Sequence, residues 1–256
     1  MSRVMRRGTG VLALVGMTMV TALAITRGPE AVTEVEFFRV QDIRIQGERF
    51  LTREQVEELM ALEPDASIWD DPGPVAQRVR RHALVQDVEI RRRPPATLLV
   101  QVTERSPVAL LPTPALVPVD REGRQLPVDL TRHRLDLPLL EPRAVAPTDP
   151  GAGGTELTPG EVRTLAGEAH RIARTDPGFL SLVSQFAADP WGGVLIRLEE
   201  PRVTLHYRPE ASTHRLREGL RALADAAQRR PGQTVTLVDL RYDDQVVVRF
   251  ATSNGS

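Results

Sequence analysis

The sequence predicts an α+β protein with one N-terminal transmembrane helix, a small β-α-α-β-β domain, and a larger mixed α/β domain built on an antiparallel sheet. Three observations predict it. Gly8 to Thr26 is an uncharged run of 19 residues, about 28 Å as a helix, close to the thickness of a bilayer's hydrocarbon core. Between Val40 and Pro107 the apolar period switches in the order strand, helix, helix, strand, strand. After Pro107, short alternating strands are interrupted by two amphipathic helices.

Arg3, Arg6 and Arg7 precede the uncharged run, whereas Arg27 is followed by Glu30, Glu34 and Glu36. The positive-inside rule therefore makes residues 1–7 a cytoplasmic tail and 8–26 the span, with the rest of the chain outside. The same stretch carries the tripartite pattern of a cleavable signal, with Ala22-Leu23-Ala24 as a small-x-small site. Both readings export the chain, and the length of the run favours the anchor. Residues 27–38 form an acidic connector.

The compact unit, residues 39–107, is read element by element. Ile43 and Ile45 alternate with Arg44 and Gln46, and Gly47 ends that strand. Thr52 with Gln55 three residues on is a capping box, so a helix begins at Arg53. Val56, Leu59 and Met60 share one face, and Pro64 stops the helix near Leu62. Asp71-Pro72 pairs an N-cap acid with a first-turn proline and opens a second helix, with Val75 and Val79 as its stripe. Val88 and Ile90, then Leu98, Val100 and Val102, alternate as two strands around Pro94-Pro95.

Residues 108–250 form the second domain and 251–256 a tail. Val108 to Leu111 and Leu116 to Asp120 read as strands, with a turn at Asp120-Arg121-Glu122-Gly123. Residues 144–160, rich in Pro, Gly and Thr, read as a loop. Glu161 to Thr175 is a helix with Val162, Leu165, Ala169 and Ile172 on one face. Leu180 to Ala187, Val194 to Leu198 and Val203 to Tyr207 form an antiparallel meander. Leu216, Leu220, Leu223, Ala224 and Ala227 mark a strong amphipathic helix with Arg215, Arg221 and Arg229 on its wet side. Val235 to Leu240 and Val246 to Phe250 close the chain around Tyr242-Asp243-Asp244, which offers no glycine for a tight primed turn.

The order of these elements resembles the FtsQ/DivIB family of bacterial cell-division proteins. Ile45-Gln46-Gly47-Glu48-Arg49-Phe50-Leu51-Thr52, the segment Leu84 to Leu98, the close Thr103-Glu104-Arg105-Ser106-Pro107, and Val238-Asp239-Leu240-Arg241-Tyr242 carry the resemblance. It implies an uncleaved span, a POTRA domain at 39–107 and an FtsQ-type β domain at 108–250. It also implies a non-enzymatic scaffold at the division septum of the inner membrane. Its partners would be FtsB/DivIC-like and FtsL-like single-span proteins and, through them, the wall-synthesis pair FtsW and FtsI. A POTRA-bearing accessory of outer-membrane assembly is the alternative, but it needs repeated POTRA units or a long barrel.

Composition supports no chemistry of its own. With no cysteine and a net charge of −1, the chain offers no thiolate and no global field for nucleic acid. The five histidines lie on unrelated elements without i, i+4 spacing, and no Gly-x-Ser-x-Gly or Ser-x-x-Lys signature occurs. No catalytic, cofactor or metal residue is expected. His206 and His214 are the one pair a strand-to-helix corner brings near, and histidines on a surface loop are the commoner outcome. Arg91-Arg92-Arg93 is the basic cluster of the folded part, either a site for an acidic partner or lipid headgroup, or a solvated hairpin end.

The partner site is expected on the terminal strand. Val246, Val247 and Val248 are consecutive, so this strand is either central or an edge open to β-augmentation. The resemblance places FtsB docking there and carries that role to Tyr242, Gln245, Val246, Val247, Val248, Arg249 and Phe250. Arg241 and Arg249 are expected to pair with acidic residues of the incoming peptide.

Overall fold

The computed structural model describes residues 36–113, 115–141, 157–189 and 191–251. The expected cytoplasmic tail, the span at 8–26, most of the connector and of the 144–160 loop, and residues 252–256 lie outside these. Among the described residues, no helix is long and apolar enough to cross a membrane. The chain divides into two compact units between Glu104 and Arg105.

In the first unit, β1 (Asp42–Gln46), α1 (Arg53–Met60), α2 (Pro72–Arg80), β2 (Val85–Arg93) and β3 (Thr97–Glu104) follow a 3-10 turn at Glu36–Phe38. The sheet order is β1-β3-β2, with β1 parallel and β2 antiparallel to β3. Thr52 and Gln55 cap α1 reciprocally, as their spacing predicts. That helix ends at Met60, two residues before Leu62, because Ala61 adopts a left-handed φ of 44° and returns its N–H to Glu57 and Glu58. Asp71 caps α2 through Gly73. The buried pair on α2 is Ala76 and Val79, and the expected Val75 is only half-buried. Val56, Met60, Val79, Val88, Leu98, Val100 and Val102 fill the core between helices and sheet.

Two motifs far apart in sequence meet at the end of β3. The Glu104 carboxylate accepts the N–H groups of Arg49, Phe50 and Leu51 at 3.1, 2.8 and 3.0 Å. Gly47 before them has φ +91°, and a Cβ there would lie 2.1 Å from the Val102 carbonyl oxygen. Only glycine lets the chain leave β1 this close to β3.

The second unit holds an eight-stranded sheet in the order β11-β10-β9-β8-β7-β6-β4-β5. Its strands are β4 (Ala109–Thr113), β5 (Ala115–Val119), β6 (Leu139–Glu141), β7 (Val183–Ala188), β8 (Val194–Leu198), β9 (Thr204–Tyr207), β10 (Val235–Asp239) and β11 (Val247–Phe250). The meander β7-β8-β9 is antiparallel, but β4–β6, β6–β7 and β9–β10 pair in parallel. The sheet is therefore mixed and not the antiparallel sheet expected, because α3 (Pro159–Thr175) and α5 (Thr213–Arg229) act as crossovers. Both helices pack on a core of Leu165, Ile172, Phe186, Ile196, Leu205, Leu216 and Val238.

Three local readings need correction. The strand expected from Leu180 begins at Val183, because Asp176 caps a short helix, α4 (Pro177–Leu180), through the Phe179 N–H at 3.0 Å. On α5, Ala224 and Ala227 are exposed, and Gly219 joins Leu216 and Leu223 in the buried stripe. Arg215 leaves the wet face and turns toward the chain's last connection.

Candidate functional site

The last strand is a sheet edge, which resolves its central-or-edge ambiguity. Among the described residues β11 pairs with β10 alone, through Leu237–Arg249, Val238–Val248 and Asp239–Val247. Ala251 donates its N–H to Thr234 at 2.8 Å, and the Arg249 carbonyl accepts the Thr236 hydroxyl at 3.4 Å. Backbone direction alternates along a strand, so Val247 and Arg249 turn their peptide groups toward β10, while Val246, Val248 and Phe250 turn theirs outward. The side chains of those same three residues pack against the core. Arg230 also lies over the Phe250 ring, 4.8 Å from its centroid. The edge thus presents free backbone groups on a strand whose own side chains anchor it.

The connection into this strand, residues 240–246, keeps negative φ throughout, so no tight primed turn is needed. Arg215 on α5 closes it instead. Its guanidinium donates to the Tyr242 carbonyl and to that of Gln245, the latter at 2.7 Å, and pairs with Glu218 at 2.7 Å.

Buried charge fixes the start of the connection. The Asp239 carboxylate, 2% exposed, accepts the Arg241 guanidinium at 3.0 and 2.7 Å and the Arg241 N–H at 3.1 Å. These bonds from Arg241, more than any other influence, hold the Asp239 carboxyl below the usual carboxylate range. Arg241 also approaches Asp189 at 3.8 Å. Its charge is engaged within the domain, whereas Arg249 is exposed and makes no ion pair among the described residues.

His206 and His214 do not meet. His206 is buried and lies 3.1 Å from Asp189, and His214 pairs with Glu218 at 3.3 Å on the exposed start of α5. The surface-loop reading therefore fails for His206, because β9 is interior to the sheet. A Cβ at Gly193 would fall 2.8 Å from His206 Nε2, so the 191–193 turn closes over this pair only with glycine there.

That turn holds a feature the sequence reading missed. Trp191, 84% exposed, Arg208, Arg241 and Tyr242 line a cleft of about 440 Å³ beside the head of the terminal connection. Aromatic walls and arginine suit a peptide carrying apolar and acidic side chains. The signal available in the sequence was Trp191 followed by Gly192-Gly193, a tryptophan at a turn in a chain with two.

Comparison with known proteins follows the same division. Residues 38–105 match the family model described as "POTRA domain, FtsQ-type". The chain is 30% identical over 255 residues to the cell division protein FtsQ of Anaeromyxobacter sp. (strain K), covering 95% of this chain and 83% of that one. It is 29% identical over 225 residues to the cell division protein FtsQ of Rhodothermus marinus, covering 84% and 79%. The FtsQ of Myxococcus fulvus is 26% identical over 205 residues, covering 78% and 70%.

Proposed function

The chain belongs to the FtsQ family of cell-division proteins, and from that membership we propose that it is a non-enzymatic bitopic scaffold of the division septum. Its N-terminus lies in the cytoplasm and its two domains lie outside the inner membrane. It joins FtsB/DivIC-like and FtsL-like partners and, through them, regulates septal peptidoglycan synthesis by FtsW and FtsI. The mechanism is binding and positioning. The observation that carries the reading is the open edge of β11, whose outward peptide groups at Val246, Val248 and Phe250 can complete a ladder with an incoming strand. Tyr242 and Gln245 shape the head of that edge, and Arg249 supplies a cation for an acidic residue of the partner.

Proline substitution separates docking from folding. Val248→Pro removes an outward donor, so the domain should keep its circular dichroism while capture of the FtsB-like partner weakens by about tenfold or more. Val247→Pro removes a donor aimed at β10 and should instead loosen the hairpin. Unchanged capture by a folded Val248→Pro variant would take this edge out of the interface. Crosslinked pull-down from dividing cells that recovers outer-membrane assembly factors in place of FtsB-like proteins would refute the scaffold reading.

A further inference from the structure

The first unit carries an aromatic and basic surface at the end where the chain enters it. Phe37 is 63% exposed and Trp69 40% exposed. Phe38 lies between them, its ring centroid 5.2 Å from Phe37 and 5.9 Å from Trp69, both edge-on. The cluster is built rather than incidental. The Phe38 carbonyl accepts the Ile68 N–H at 3.0 Å, and Val40 donates to Ala66 at 2.8 Å, stitching the entering chain to the loop that holds Trp69. Arg92 donates to the Ile68 and Asp70 carbonyls at 2.8 and 3.1 Å, with its guanidinium 5.9 Å from the Trp69 ring centroid.

The strand register puts the basic cluster at this same end. Thr97 pairs with both Asp42 and Arg93, so the end of β2 lies across from the start of β1. Three of the acids nearby pair with arginine. Glu36 pairs with Arg39, Asp42 with Arg44, and Glu89 with Arg91. The carboxylates of Asp70 and Asp71 accept the backbone N–H groups of Ser67 and Gly73 and, like Glu63 and Asp65 earlier in the same loop, pair with no cation among the described residues. Arg92 and Arg93 have no carboxylate partner among the described residues.

Exposed phenylalanine and tryptophan beside arginine that has no carboxylate partner match the interfacial layer of a bilayer, where aromatic rings sit among headgroups and arginine meets phosphate. Chain length supports that occupant. Ten residues lie between Thr26, the end of the uncharged run, and Phe37, a tether of at most about 36 Å. We propose that Phe37, Phe38 and Trp69, with Arg92 and Arg93, form an interfacial foot that seats the first domain on the headgroup layer of a phospholipid bilayer. This rests on the membrane-anchored reading above.

The test uses the full chain reconstituted into vesicles of phosphatidylcholine and phosphatidylglycerol, with or without brominated acyl chains. Trp191→Phe leaves Trp69 as the sole tryptophan. Its emission should fall about twofold in brominated vesicles, as for a ring at the interface. Adding Phe37→Ser or Arg93→Ser should reduce that quenching while circular dichroism stays unchanged. Protein that floats with the vesicles but shows unquenched Trp69 overturns the foot and leaves the anchor standing. Protein that fails to float overturns both. Trp69 shielded only when a partner protein is added would assign the surface to that protein and overturn the lipid proposal.

Discussion

At the scale of single residues, the decisive groups are buried or half-buried charged side chains that satisfy backbone. Glu104 holds three consecutive N–H groups more than fifty positions earlier in the chain, and Arg215 holds two carbonyls of the terminal connection. Asp239 does the same work for Arg241, and its depressed carboxyl makes a testable pH dependence. A carboxyl whose folded value lies below its unfolded one contributes stability above the unfolded value and loses it as pH falls through the folded one. Asp239→Asn should therefore unfold more readily than the wild type at pH 7, by about 2 kcal/mol. In urea titrations the two proteins should converge as the pH drops below about 4. A gap that persists in acid would assign the loss to packing instead of charge.

At the scale of elements, the terminal hairpin depends on a helix that sequence periodicity alone cannot link to it. Arg215 falls beside the apolar stripe of α5 and reads as solvent-facing, yet its side chain is 18% exposed because the connection folds over it. Arg215→Ala should leave helix content intact, since alanine favours helix. Loss of both carbonyl contacts should free residues 240–246, weakening capture of the FtsB-like partner about tenfold and speeding amide exchange in β11. Unchanged exchange there would show that Asp239 and Arg241 hold the connection without help. Local signals did suffice for the helix starts of the first unit, because a cap is satisfied within three residues: Thr52 with Gln55 and Asp71 before Pro72 both act as their spacing implies.

At the scale of the whole molecule, a role in cell division follows from the relatives that match most of the chain. The N-terminal anchor is a prediction about the same chain. Protein taken from membranes should resist alkaline carbonate extraction, and its N-terminal sequence should start at Met1. A mature chain starting at Ile25 would instead assign the uncharged run to a cleaved signal.

The sequence by itself determined the α+β class, the order of the elements in the first unit with its two helix caps, and the existence of the terminal strand. All of these rest on periods and spacings within a few residues, where backbone geometry fixes which side chains share a face. Tertiary structure alone decided that the large sheet is mixed, that β11 lies at its edge, that His206 is buried against Asp189, and that Trp191, Arg208 and Tyr242 converge. Each depends on which strands neighbour one another after a helical crossover. β10 lies beside β9 only because α5 carries the chain back across the sheet, and a strand's own sequence does not record the neighbour that such a crossover brings to it.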